Sequence, residues 1–321
     1  MIRASSHSDR LSTIRLEDLA GHVTWRGVAD AIAEGHRRDQ PELGDVLLEQ
    51  DGCAWLTRAA RIRGLGSLTK VASVYPDNPA KGLAAIHGAA ILMDDETGKV
   101  CAIIDNDALT RVKTAADSLL GARLLARPEA SRYLVVGAGT VAGDLVRAMG
   151  SEFDFESISI WNRTSERAER LCAELAGEGI EAAAVTDLEA AVRAADIVSA
   201  ATMSRAPLVL GAWVRPGTHV DLVGAFTPEM RESDDALIAC AQIFVDCRLT
   251  TETRTGDLAG PLARGVIGPQ DIRGSLYPLC NGKAGREGAD AITLFKNGGG
   301  GHIDLMVAQH LFSCLSSAGR A

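Results

Sequence analysis

The sequence predicts an α/β protein of two domains, one built on a doubly wound parallel sheet and the other on an α/β region that the first interrupts. Three observations carry this expectation. From residue 132 to residue 246, short apolar runs rich in β-branched residues alternate with helical patterns, as repeated strand–helix units do. Between residues 45 and 104 the periodicity is short and no helical pattern intervenes. A helical pattern over Ile303–Leu315 follows the glycine run 298–301 and is apolar enough to pack back onto the first region, which makes that region discontinuous. The expected boundaries are 1–127 with 298–321 for the discontinuous domain and 128–297 for the parallel-sheet domain.

Taken in order, the chain starts with a polar, Ser-rich segment, then short helical patterns around Leu16–Leu19 and Val28–Glu34. Strands follow at Asp45–Leu48, Cys53–Leu56 and Leu68–Tyr75, the last broken by Pro76-Asp77-Asn78-Pro79. Ala89–Met93 and Val100–Ile104 read as a hairpin. A helix is expected from Val112 to Leu125, capped by Thr110. Next comes Tyr133-Leu134-Val135-Val136, a strand running into Gly137-Ala138-Gly139-Thr140-Val141-Ala142, then a helix and a second strand, Ser157–Trp161. Further strands are expected near Ala182–Val185, Asp196–Ser199, His219–Val223, Ile243–Asp246 and Ile292–Asn297, with 251–288 rich in loops and holding short helical patches.

The Gly137 turn has the form G-x-G-x-x-A. In such a turn the first glycine permits the tight bend, the second lets a pyrophosphate approach the backbone, and the small third residue lets helix and strand pack closely. Phosphates then lie over the unpaired N–H groups of a helix N-terminus. Alone the pattern is weak; strand, turn, helix and strand in sequence make it a Rossmann dinucleotide site. The second strand ends at Asn162-Arg163-Thr164, where the group that reads the adenosine ribose stands. An aspartate there would repel a 2′-phosphate, whereas Asn, Arg and Thr donate to one, so the choice points to NADP(H) in preference to NAD(H). The plainer alternative makes Arg163 a solvated turn residue and Thr164 an N-cap. Ala201, Thr202 and Gly224, at the carboxyl ends of later strands, complete the expected cofactor contacts.

Composition narrows the function. The chain has 321 residues, 46% hydrophobic and 23% charged, with a net charge of −9 and no basic stripe interleaved with aromatics, so a nucleic-acid surface is not expected. No apolar run approaches about 20 residues, so no membrane span is expected. The N-terminal stretch, with Asp9, Glu17 and Asp18 and no apolar h-region, does not read as a secretory signal, and a cytoplasmic location is expected. Seven scattered cysteines form no C-x-x-C pair and the seven histidines no ligand spacing, so no metal site is expected.

Lysine usage is more telling, since only six of the 33 basic residues are lysine. An ammonium can give up a proton when its environment demands it, and a guanidinium cannot. Lys70 stands on the strand face of Leu68 and Ala72, where a lysine needs a partner unless its stem merely lies along the surface with the ammonium in water. Lys113 is expected to open the 112–125 helix, where a cation opposes the helix dipole unless an anion binds nearby.

The residues then resemble a family. Lys70-Val71, Tyr75-Pro76-Asp77-Asn78, Thr97-Gly98, Leu109-Thr110, Thr114-Ala115-Ala116 and the glycine turn are similar to the ornithine cyclodeaminase/μ-crystallin family. Ala195-Asp196-Ile197-Val198, Gly217-Thr218-His219-Val220, Gly224-Ala225, Glu232-Ser233-Asp234-Asp235, Gly256-Asp257 and Thr293-Leu294-Phe295-Lys296 extend the resemblance to the C-terminal helix. It implies a homodimer with a Rossmann domain and a substrate-binding and dimerisation domain, and a nicotinamide end that meets the Lys70 strand.

Two departures bear on the reaction. The resemblance implies an arginine before Thr-Ala-Ala for the substrate carboxylate; Lys113 stands there instead, and Arg58, Arg61 or Arg63 could share the task. It also implies, for cyclodeaminases, an aspartate at the position of Phe226, which Phe226 cannot replace. The expected function is therefore NADPH-dependent reduction of a cyclic imino acid, Δ1-pyrroline-2-carboxylate to L-proline or the six-membered homologue to L-pipecolate. In that reading Lys70 is catalytic, Lys113 and Arg58 hold the carboxylate, and Phe226 supplies an apolar wall. The rivals are a redox-neutral, NAD-dependent ornithine cyclodeaminase and a non-catalytic NADPH-dependent ligand-binding protein of μ-crystallin type.

Overall fold

The computed structural model describes residues 12–319. The polar N-terminal segment anticipated from the sequence lies almost wholly outside them. The chain divides into two compact units. The first comprises 12–23, Asp39–Thr110 and 301–319, and the second Thr24–Arg38 and Arg111–Gly300. Against the expected boundaries of 1–127 with 298–321 and of 128–297, three segments, 24–38, 111–127 and 298–300, group with the second unit.

The first unit is a six-stranded sheet: β1 (Ser12–Ile14), β2 (Glu42–Gln50), β3 (Cys53–Ile62), β4 (Gly66–Val74), β5 (Ile86–Met93) and β6 (Val100–Asp105), in the order β1-β6-β5-β4-β3-β2. It is antiparallel apart from the β1–β6 pair. The helix Gly301–Ser317 packs on β3 and β4. It can do so because Ile303, Leu305, Met306, Val307 and Leu311 bury their side chains there. Gly88 is needed for the close approach of β5 to β4, since a side chain would run into the Val71 carbonyl.

The second unit holds eight parallel strands: β7 (Arg132–Val136), β8 (Ser157–Trp161), β9 (Ala183–Val185), β10 (Ile197–Ala200), β11 (His219–Leu222), β12 (Gln242–Val245), β13 (Ile272–Ser275) and β14 (Thr293–Lys296). Their order is β13-β12-β14-β11-β10-β7-β8-β9. Helices such as Thr140–Gly150, Ser165–Gly177 and Leu188–Ala194 cross between successive strands. Strands covered on both faces read as continuous apolar runs rather than alternating ones, and β10 and β11 are buried at every residue. The direction of strand order reverses at β7, with β8 on one side and β10 on the other; in open parallel sheets, ligands bind beyond the carboxyl ends of the strands at that point.

Three local expectations need correction. The long helix starts at Asn106, not Val112, and its first N–H groups are met by Asp105, whose Oδ1 accepts from Asp107 N at 2.8 Å and Ala108 N at 3.3 Å; Thr110 lies inside it. Lys113 therefore stands in the helix interior and does not oppose an exposed dipole end. The segment 251–288 carries the short helical patches expected of it, Gly256–Arg264 and Leu276–Cys280, but also a strand that was not anticipated, β13. Residues 16–19 form a single 3₁₀ turn. Among the described residues no helix is long and apolar enough to cross a membrane, and no group of three or more His, Cys, Asp or Glu side chains is placed to hold a metal ion.

Candidate active site

In the second unit the glycine turn has the geometry its sequence anticipates. Gly137 leaves β7 with φ +122°, and a Cβ there would stand 2.6 Å from the Ala201 carbonyl oxygen, so only glycine fits. Its N–H donates to the Trp161 carbonyl at 2.7 Å, tying the turn to the end of β8. Gly139 is the extended N-cap of helix Thr140–Gly150; no side chain caps that helix, and the space over Gly139 is open. Gly139 and Thr140 are exposed and Ala138 and Val141 half-buried, so the first-turn N–H groups face an accessible anion site. The open cradle fits a dinucleotide pyrophosphate.

Beside it lies a cavity of about 480 Å³ lined by Gly139 and Thr140 and by Arg111, Arg147, Arg167 and Arg170. Arg111 grips the buried Asp144 through two bonds of 2.8 Å, and Arg147 pairs with Glu174 and Glu178 at 2.6 Å. Of the ribose-end residues, Arg163 and Thr164 are exposed and the Asn162 amide donates to the Thr164 carbonyl at 2.9 Å. Thr164 does occupy the N-cap of helix Ser165–Gly177, but its hydroxyl makes no cap bond. Beyond β10 and β11, Ala201, Thr202 and Gly224 are half-buried, while Met203 and Phe226 are exposed. Phe226 is 55% accessible, an apolar ring turned to solvent.

Lys113 lies buried in the same unit, with Asp117 and Asp246 as charged neighbours that it pulls toward ionisation. Burial and then the Asp246 charge push the Asp117 carboxyl well above the usual carboxylate range, against the pull of Lys113. Asp246 in turn accepts from the backbone N–H of Gly298 at 2.9 Å and Gly299 at 2.5 Å.

In the first unit Lys70 is buried on β4, as its strand alternation anticipates, and it has a protein partner. Its Nζ donates to Thr110 Oγ1 at 2.8 Å and faces Asp304 Oδ1 at 3.5 Å. Asp304 is fully buried in the first turn of helix Gly301–Ser317. Arg58 on β3 is the direct cross-strand neighbour of Lys70, and Asp45 on β2 is that of Arg58, so the three side chains share one sheet face. Arg58 Nε lies 3.6 Å from Asp45 Oδ2. The result is a row of two cations beside two acids, with a hydroxyl orienting the lysine.

The sequence reading missed Asp304 and Thr110. Asp304 had a signal, an acid within an otherwise apolar helix, but nothing local tied it to Lys70, 234 residues away. Thr110 was read as a cap.

Fold and site together define a Rossmann-type dinucleotide-binding protein. The chain belongs to the ornithine cyclodeaminase/mu-crystallin family, whose model matches residues 59–318. It is 47% identical to Delta(1)-pyrroline-2-carboxylate reductase of Paracoccus denitrificans over 97% of this chain and 98% of that protein. Among solved structures it is similar to Delta(1)-pyrroline-2-carboxylate reductase of Thermococcus litoralis in complex with NADH and L-proline (TM-score 0.90, 25% identity, 96% of this chain and 98% of that one). It is also similar to an archaeal alanine dehydrogenase dimer with bound NAD (TM-score 0.89, 26% identity, 96% of this chain and 97% of that one).

Proposed function

We propose that this protein is an NAD(P)H-dependent reductase of cyclic imino acids, converting Δ1-pyrroline-2-carboxylate to L-proline or its six-membered homologue to L-pipecolate. The observation that carries the reading is Lys70, a buried ammonium held by Thr110 and Asp304 on the same sheet face as Arg58. The likeness to two proteins named for that reaction supports it.

When bound, the nicotinamide supplies a hydride to the C=N carbon. Lys70 polarises the imine by placing positive charge beside the ring nitrogen and supplies the proton that nitrogen takes up. Asp304 faces the Lys70 ammonium and Thr110 fixes its direction, so little reorganisation is needed as the amine forms. Arg58 is the cation we assign to the substrate carboxylate, because it is the direct cross-strand neighbour of Lys70 on the same sheet face. Phe226 lends apolar surface, and the absence of a carboxylate at its position argues against cyclodeamination.

On the cofactor, Asn162, Arg163 and Thr164 support a preference for NADPH over NADH, with the arginines of the adjacent cavity adding positive potential. Equal dissociation constants for NADPH and NADH would remove that preference. A homodimer is supported by the uncovered apolar residues of the first sheet, Val46, Leu47, Leu48, Trp55 and Ile86, which suit a second copy of the chain. Seven free thiols suit a reducing compartment, and the cytoplasm is the location we assign.

The test is steady-state NADPH oxidation with Δ1-pyrroline-2-carboxylate, beside ornithine with NAD⁺ and ammonia release as the readout. Consumption of NADPH with proline formation is expected. Ammonia from ornithine would establish the cyclodeaminase instead, and ligand binding with no turnover in either assay would leave the μ-crystallin type of binding protein.

A further inference from the structure

We propose that Glu232 is a positioning residue of the cofactor site, a single carboxylate that sets the loops leaving β10 and β11 in one fixed arrangement. The inference rests on reading the glycine turn as a nicotinamide-dinucleotide site, and it adds a residue that makes no contact with the cofactor itself.

The geometry is that of a staple. Glu232 is fully buried. Its Oε1 accepts from Thr202 N at 2.6 Å and Thr202 Oγ1 at 2.9 Å, and its Oε2 from Gly224 N at 2.6 Å and Ala225 N at 3.3 Å. Four donors from two loops thus converge on one carboxylate, each loop supplying two. Those loops begin where adjacent parallel strands end, since Ala200 is paired with Leu222, and Ala201 forms the wall against which Gly137 turns. Gly224 has no room for a side chain: a Cβ would collide with the Thr202 backbone and stand 2.7 Å from Glu232 Oε1. Moving the carboxylate therefore frees both loops at once.

Glu232 is itself anchored. Its own N–H donates to Asp257 Oδ1 at 2.8 Å, and Asp257 Oδ2 lies 3.3 Å from the Nζ of Lys296, a fully buried ammonium that also donates to the Leu222 carbonyl at 3.1 Å. Leu222 ends β11 and Lys296 ends β14, and the two are paired in the sheet. A chain of buried charge thus runs from the sheet through Asp257 to Glu232. Burial, followed by the Asp257 charge, raises the Glu232 carboxyl, while Lys296 and Thr202 draw it down. A network of this cost, placed at the carboxyl edge of the sheet and facing both loops, is more than packing at that position requires.

The experiment measures NADPH and NADH dissociation constants by nicotinamide fluorescence, and steady-state KM and kcat for the imino acid at saturating cofactor, in the wild type and in Glu232→Gln. The glutamine keeps the shape but turns an NH₂ group toward N–H donors. Cofactor binding at least tenfold weaker, with the imine KM at saturating cofactor within threefold, is expected. A lowered melting temperature with cofactor binding within twofold of wild type would overturn the proposal, because a merely structural residue gives that pattern. If Glu232→Gln does not fold, Glu232→Asp decides: the shorter carboxylate keeps its charge but cannot reach the donors of both loops at once, so cofactor binding at least threefold weaker is expected, and binding within twofold of wild type overturns the proposal. A wild-type protein that binds neither nucleotide would instead refute the cofactor-site reading on which the proposal rests.

Discussion

The two sheets bury their residues in opposite ways. In the second unit, β10 and β11 are covered at every position. In the first, the nine residues of the edge strand β2 are almost all exposed, and Val46, Leu47 and Leu48 in succession present apolar surface on both faces. A parallel sheet wrapped by its own crossover helices is complete in itself. An antiparallel sheet with a bare edge and a bare face invites a partner chain. The contrast extends to the two buried lysines. Lys113 in the second unit stands beside two buried acids, Asp117 and Asp246, whereas Lys70 in the first stands beside a second cation, Arg58, on one sheet face, with one acid facing each of them.

The largest effect that would break this contrast is expected at Lys70. Lys70→Met removes the charge and the proton but keeps the stem, and a loss of about 10²–10⁴-fold in kcat/KM is predicted, measured by NAD(P)H oxidation, with the folded structure intact. A loss below about threefold, roughly 0.7 kcal/mol, would make Lys70 no more than a satisfied buried charge. Lys113→Met should instead strike stability: two buried acids lose their cation, and about 3–5 kcal/mol of unfolding free energy is expected to go, read from denaturant titration. If Lys113→Met unfolds like wild type and raises the imine KM strongly, Lys113 rather than Arg58 holds the carboxylate.

Arg58→Met sharpens the same assignment. Removing a charge-assisted hydrogen bond is worth about 1.5–3 kcal/mol, so the imine KM should rise roughly 10- to 100-fold while cofactor affinity stays put. An unchanged KM would send the carboxylate elsewhere.

The smallest effects concern two buried histidines of the second unit. Burial lowers His36 to about 4, opposed by its bond to the Ile32 carbonyl, and lowers His219 to about 3, helped by Arg286. Each stays neutral where the unfolded chain would take up a proton. Their contribution to stability is therefore fully present above pH 6.5 and is lost as pH falls toward 4 and 3. Ring resonances followed by NMR from pH 8 to 5 should show both histidines untitrated; a midpoint near 6.5 for either would contradict its burial as neutral imidazole.

The difference between the units also explains what could be read in advance. The Rossmann strands were legible because burial on both faces leaves apolar runs, and the glycine turn because Gly137 must adopt a positive φ against Ala201. The start of the long helix was not, since Asp105-Asn106-Asp107 is as polar as a turn, and only the bond of Asp105 to the backbone shows it to be a cap. Lys70 stood out within its strand, but Asp304 could not be joined to it, because charge pairing between distant segments leaves no local pattern. Glu232 was visible in the Glu-Ser-Asp-Asp run, and nothing in that run shows that its side chain turns inward to two loops.

The most direct test of the central claim follows one atom. With Δ1-pyrroline-2-carboxylate and reduced nicotinamide cofactor carrying deuterium at both C4 positions, the account predicts proline carrying a single deuterium at C2, formed at the rate of cofactor oxidation and at least about 10²-fold more slowly in Lys70→Met. Proline without deuterium, or undiminished transfer in Lys70→Met, would contradict it.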